Sequence, residues 1–379
     1  MKSPDHQQPF RVLYLDALRS LLMILGVVIH SAQLFRVYTP AEVELHPSSP
    51  FFDYLCAAIH SFRLPAFFLI AGYVGIGVIQ RRGAHFFARR RLIRIGIPFV
   101  VALLSLNIVD AILAARVSGA LAPCSTLLQI RDCVVHAFVG GNLRHLWFLP
   151  ALMLYSSVLV GLSVLLDRVG VVARLQSQLE LLGQTDLYLL VLPLWMVVTD
   201  AASWRLILLW ERVSWMQIPS PDQLIQYAPF FFFGVIAQQV PVLWHRFGST
   251  LNWFATANLG MLFAILLFFW PHPRISAYAL LYLQCLAGWT LVGLVIRFGR
   301  FALDCRIPML TESPDLAYSV YLFHHVFVTL FALIFLNYQA PTVIRFAVIT
   351  VLTAALSIAS HHVISRFSLL RFVFNGRFS

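Results

Sequence analysis

Sixty per cent of the 379 residues are hydrophobic and 11% are charged, and the mean hydropathy is +0.82, which excludes an ordinary soluble domain. The net charge of +11 raises nucleic acid as a partner. No basic segment, however, is interleaved with aromatics as a stacking platform needs, so nucleic acid is excluded.

The chain has room for about ten spans of ~20 residues with short loops between them. They are expected near 13–34, 51–78, 96–115, 146–166, 185–203, 224–240, 253–270, 277–296, 316–336 and 343–364. The first reads as a retained span, because Asp16 and Arg19 sit where the uncharged core of a signal peptide should begin. The sixth is short and carries Gln226, Gln238 and Gln239. No repeat, linker or low-complexity tract interrupts the chain. The expected architecture is all-α: one polytopic integral membrane domain over 1–379, with about ten transmembrane helices.

Of the 27 Lys and Arg, the densest run is Arg81, Arg82, Arg89, Arg90, Arg91 and Arg94, which separates the second and third spans. With the N-terminus inside, the inner segments hold 17 basic residues and the outer segments eight. The positive-inside rule then puts both termini in the cytoplasm. By itself the arginine run is only such a topology signal.

The first span holds the least easily dismissed groups. Arg19 and His30 are eleven residues apart, about three helical turns, so they share a face at roughly 16 Å along the axis. Ionisable groups inside a span are functional candidates by default. Asp16, three residues before Arg19, is placed to hold it by an ion pair. His60 and Arg63 share a face near the outer start of the second span, and His145 and Trp147 open the fourth. His324 and His325 lie near the middle of the ninth, so His324 is expected deeper than His30, His60 and His145. Asp110 and Asp200 read as outer helix-end carboxylates. Taken singly, a histidine at a span end often just bonds a neighbouring helix, and Trp147 and Tyr321 suit interfacial packing. Ala71, Gly72, Gly75 and Gly77 read as close helix contact, not as a phosphate loop.

Cys56, Cys124, Cys133, Cys285 and Cys305 form no close-spaced metal pattern, and no metal is expected. Cys124 and Cys133 share an outer loop where a disulfide is conceivable, but two free thiols are the preferred reading.

Several strings then match one pattern in order and spacing. They are Leu15-Asp16-Ala17-Leu18-Arg19 with His30; Ile59-His60-Ser61-Phe62-Arg63; and Phe67-Phe68-Leu69-Ile70-Ala71-Gly72-Tyr73. They continue with Arg91-Leu92-Ile93-Arg94-Ile95-Gly96-Ile97-Pro98, His145-Leu146-Trp147-Phe148-Leu149, and Tyr318-Ser319-Val320-Tyr321-Leu322-Phe323-His324-His325. Together they resemble the membrane acyltransferase-three family, and within it the succinyltransferases of osmoregulated periplasmic glucans.

The resemblance implies a multi-pass enzyme of the bacterial inner membrane. It would move an acyl group, succinyl in that subgroup, from cytoplasmic acyl-CoA to hydroxyls of a periplasmic glucan. Acyl-CoA is then a co-substrate and no cofactor is bound. The implied partners are the donor, the carbohydrate acceptor, the lipid bilayer and periplasmic glucan-synthesis proteins. The family's essential Arg and His map to Arg19 and His30, and its Arg, two residues, Arg pattern maps to Arg91 and Arg94. Some relatives add a hydrolase-like domain for the final transfer. This chain ends at Ser379 without one, so the membrane domain acts alone or with a partner.

The chemistry is compatible with that role. A sugar hydroxyl needs a base, which histidine suits, and the thioester carbonyl needs a cation or donor for its developing charge. No Gly-x-Ser-x-Gly elbow is present, which disfavours a serine acyl-enzyme. The expected roles are His30 as base or acyl acceptor, and Arg19, steadied by Asp16, at the thioester. Arg91 and Arg94 would take the acyl-CoA phosphates, and His60, Arg63, His145, Trp147, His324 and His325 would line the substrate cavity. A secondary transporter or flippase for an anionic solute, with Arg19 as clamp and the histidines as proton relay, is the alternative. A structural scaffold would leave Arg19 and His30 unexplained.

Overall fold

The computed structural model describes residues 12–38, 43–119, 143–169, 191–199, 219–247, 277–305 and 314–377, with a few isolated positions between them. Every regular element among the described residues is helical. The helices are α1 (Leu13–Gln33), α2 (Pro50–Arg82), α3 (Ala84–Arg91), α4 (Ile97–Leu104), α5 (Leu106–Val117), α6 (Phe148–Val169), α7 (Pro221–Gln239), α8 (Pro241–Phe247), α9 (Ala277–Ala302), α10 (Pro314–Ile334), α11 (Thr342–Arg366) and α12 (Ser368–Asn375). A further helical stretch covers 191–199.

Seven of these segments are long and apolar enough to cross a membrane: α1, α2, the stack from Ala84 to Val117, Arg144–Leu165, Leu281–Ala302, Asp315–Ile334 and α11. α7 forms where a sixth span is expected but is not among the seven, in keeping with its glutamines. The expected spans 185–203 and 253–270 lie outside the described residues, apart from 191–199, as do Cys124, Cys133 and Asp200.

Contacts between helices fix their directions. α2 and α7 are parallel, since Phe68 meets Tyr227, Gly72 meets Phe231 and Gly77 meets Gln238. A Cβ on Gly72 would collide with the Phe231 carbonyl oxygen, and one on Gly234 with that of Leu69. The two backbones therefore touch, as the small residues predict. α6 also runs with α2, with Phe148 against Phe67 and Leu159 beside Gly75. α9 does too, with Gly288 beside Ser61, while its far end meets the start of α1 through Gly299–Leu18 and Arg300–Tyr14. α10 is antiparallel to α11, since Ser319 meets His361 and Phe335 meets Arg345. One end of the bundle thus gathers the start of α1, the arginine run and the C-terminal helix α12; it is called the inner end below.

The arginine run between the second and third spans is itself helical. α2 continues to Arg82, a single residue, Gly83 at φ 82°, turns the chain, and α3 begins at Ala84. Ala and Arg are good helix formers and Gly tolerates positive φ, so helix extends to both sides of a one-residue turn. A π-helical turn, Leu92–Gly96, then joins α3 to α4.

Two apolar clusters organise the interior. The larger, around Phe67, Phe68, Phe231 and Trp289, joins α2, α6, α7 and α9. The smaller, around Ile29, Phe35, Leu45, Phe52 and Phe331, caps the outer ends of α1, α2 and α10.

Candidate active site

Three elements bring four histidines together. The ring of His30 on α1 lies 4.9 Å from His325 and 5.1 Å from His324 on α10, and 6.4 Å from His145, centroid to centroid. His145 stands in the one-turn helix Arg144–Trp147 and stacks on His325 at 4.8 Å with rings 5° from parallel. His324 borders Gly26, one turn inward of His30, which agrees with its deeper expected position.

Three of these rings share one bonding pattern. His30 Nδ1 donates to Gln33 Oε1 at 2.7 Å, His324 Nδ1 to the Tyr321 carbonyl at 2.7 Å, and His325 Nδ1 to Asp110 Oδ2 at 2.8 Å. A neutral imidazole with its proton on Nδ1 carries its lone pair on Nε2. His324 Nε2 is fully buried with no hydrogen-bond partner among the described residues. The helix periodicity thus delivers three oriented bases to one place.

Asp110 on α5 anchors this group. It is completely buried, accepts from Thr329 at 2.6 Å on its other oxygen, and lies 3.4 Å from an Arg144 nitrogen. Asp110, His145 and His325 also offer metal-ligand-type atoms within 4.8 Å of one another. Both carboxylate oxygens are already engaged, one of them beside a guanidinium, so the geometry reads as a hydrogen-bond network that orients His325.

Arg63 supplies the cation at this level. Only 7% exposed, it has Nε and Nη1 buried without hydrogen-bond partners, and Nη1 stands 3.0 Å from the position a Cβ on Gly26 would take. Tyr227 and Tyr321 are its electrostatic neighbours. Tyr321 itself donates to the His145 carbonyl at 2.8 Å. A buried guanidinium with idle donors is costly unless a ligand takes them.

Arg19 is not part of this group. It pairs with Asp16 at 3.8 Å, as the i, i+3 spacing predicts, and its guanidinium lies 5.8 Å from the Phe67 ring centroid. Three helical turns separate it from His30, so the two do not touch one reacting carbonyl at the same time. Arg91 and Arg94 are among its electrostatic neighbours. The π turn Leu92–Gly96 lies between Arg91 and the start of α4 and holds Arg94. Arg91 lies over Phe87, whereas Arg94 meets Asp315 at 2.5 Å. Asp315 is shared with Arg377, at 2.7 Å, just beyond α12.

The remaining candidates flank the histidines. Gln33 donates toward His60 Nε2 at 3.5 Å, which links His60 to His30. Trp147 sits against Tyr227, 5.6 Å between centroids. Sequence reading passed over Gln33 and underrated Asp110. Gln33 is three residues from His30, a spacing that could have flagged it. No local signal joins Asp110 to His325.

Comparison with known proteins identifies the family. Residues 12–362 match the acyltransferase domain family. Glucans biosynthesis protein C from Salmonella typhi is 23% identical over 382 residues, covering 97% of this chain and 95% of that protein. The proteins of the same name from Salmonella typhimurium and Salmonella heidelberg match to the same extent. No solved structure matches. The chain, with its apolar helices and buried histidine cluster, belongs to the membrane acyltransferases of the acyltransferase domain family.

Proposed function

We propose that this protein transfers an acyl group, succinyl being the leading candidate, from cytoplasmic acyl-CoA to a hydroxyl of an extracytoplasmic glucan. The observation that carries the reading is the set of Nδ1-bonded histidines facing one another beside Arg63 inside the membrane domain. The relatives' name, glucans biosynthesis protein C, supports the choice of acceptor. The ten-span topology with cytoplasmic termini belongs to the same proposal. It is supported by the shared direction of α6 and α7, and of α7 and α9, each pair requiring an odd number of crossings between its members.

In this reading the donor enters at the inner end, where Arg91, Arg94 and Arg19 meet the phosphates as bidentate partners. The acyl arm reaches outward along Tyr318, Tyr321 and Arg63. His30 Nε2 takes the proton of the attacking hydroxyl as its oxygen bonds to the thioester carbonyl carbon. Arg63 donates to the carbonyl oxygen as charge gathers there. The C–S bond then breaks, and the proton passes from His30 to the departing CoA thiolate. Asp110 holds His325 ready as a second proton carrier.

The test is purified protein in detergent with labelled succinyl-CoA and short glucose oligomers. Mass spectrometry should find oligomers heavier by one succinyl group and an equal amount of free CoA. Oligomers left unmodified under conditions where acyl-CoA binds would overturn the reading.

A further inference from the structure

A cavity lies beside the histidine cluster, and apart from His60 and Tyr227 its lining residues have no role in the site described above. It encloses about 600 Å³, within the range of small-ligand sites, between the outer halves of α2, α7 and α9 and the helical stretch 191–199. Its walls carry several polar side chains. Asp222 and Gln226 come from α7, Gln284 from α9, and His60 and Ser61 from α2.

Two prolines add acceptors to that wall. Pro65 lies inside α2 and Pro229 inside α7. Neither can donate the helical hydrogen bond due to the carbonyl four residues earlier. Those carbonyls belong to Ser61 and Ile225, and both residues line the cavity. Two helices therefore each place a residue whose carbonyl lacks its usual helical donor beside the same space as two carboxamides and a carboxylate. A ligand rich in hydroxyl groups meets such a surface better than lipid, because each hydroxyl both donates and accepts.

The cavity also connects to the chemistry. His60 forms part of its wall and is joined through Gln33 to His30. Tyr227, on the same wall, is an electrostatic neighbour of Arg63. Outward of the histidines lies the apolar cluster of Phe35, Leu45, Phe52 and Phe331, a poor path for a sugar. A polar ligand therefore gains the histidines from the side, past His60.

We infer that this cavity binds sugar residues of the acceptor, with Gln226, Gln284 and Asp222 holding hydroxyls and His60 at its passage to His30. The inference rests on the acyltransferase reading for the word acceptor, but carbohydrate binding can be measured without it. Cys285 lines the cavity and supplies a reporter.

The rate of maleimide labelling at Cys285 is followed by mass spectrometry of its peptide, with and without short glucose oligomers. The oligomers should slow labelling in the wild type and not in the Q226A/Q284A variant. In transfer assays that variant should raise the acceptor KM about tenfold or more, as loss of two ligand hydrogen bonds predicts, with the acyl-CoA KM unchanged. Oligomers that are acylated yet leave Cys285 labelling untouched would overturn the inference and spare the acyltransferase reading. Protection of Cys285 without any acylation would support the cavity and count against the reaction. Neither protection nor acylation would overturn both.

Discussion

Asp110 and His325 stand 215 residues apart in the chain and meet at 2.8 Å, carboxylate to imidazole, inside the bundle. The carboxylate is completely buried, with Arg144 and Thr329 on its flanks. Asp110→Asn keeps the shape but removes the charge that fixes the His325 proton on Nδ1. Transfer should fall by ~10²-fold or more, as for loss of a positioned proton carrier. Thermal unfolding in detergent should also shift down, because Arg144 would keep a buried charge without its counter-ion. Wild-type turnover in Asp110→Asn would remove His325 from the chemistry.

His30→Ala should abolish transfer, by ~10²–10⁴-fold, and leave insertion intact. His60→Ala should be milder and act on the acceptor KM, since His60 reaches His30 only through Gln33. The comparison is made on purified variants with matched size-exclusion profiles. Near wild-type transfer by His30→Ala would transfer the base role to His324 or His325.

Arg19→Lys should not rescue Arg19→Ala. A guanidinium can hold Asp16 and a donor phosphate together, whereas an ammonium is a point charge of different reach. The separation of Arg19 from the histidines makes acyl-CoA binding the sensitive readout. Equal affinities in wild type and Arg19→Lys would show that charge alone suffices.

Replacing Arg91 and Arg94 together by Lys keeps the inner charge, so cysteine labelling should report an unchanged topology. Acyl-CoA affinity should fall, and more steeply as salt rises. In the resting structure Arg94 is bound to Asp315, so the donor must draw it away; Arg377 remains to hold that carboxylate. Unchanged binding in the double variant would reduce the run to a topology signal.

Gly234→Ala should destabilise the fold by ~1–3 kcal/mol, because its methyl group meets the Leu69 carbonyl oxygen and two backbones must part. Gly161→Ala, at a position with open space around it, is the control. Equal melting of the two variants would mean that α2 and α7 are less closely joined than described.

Local rules made part of this legible. Period and length gave most of the helices, i, i+3 spacing gave the Asp16–Arg19 pair, and the small residues of α2 gave its close partner without naming it. The spacing of Arg19 and His30 on one face held, but axial separation, known from the same helix geometry, already implied different roles. The arginine run does separate two spans, but its helical form was not legible from hydropathy, which registers charge and not helix propensity. What escaped was long-range: Asp110 with His325, Arg94 with Asp315, and Gln33 between two histidines. No pattern within a turn or two of chain encodes such meetings.

The seam between α2 and α7 also has a consequence for synthesis. Gln80 and Gln239, which close its inner end, are separated by 159 residues. At ~5–20 residues per second, a ribosome needs roughly 8–30 s to pass from one to the other. Throughout that interval α2 is in or near the bilayer with Arg63 in its sequence but without Tyr227 or the backbone groove of α7. The newborn helix must shelter its guanidinium elsewhere, at the lipid headgroups, in the insertion machinery or against α1. Assembly of the catalytic layer is therefore a late event, completed only when the second half of the chain arrives.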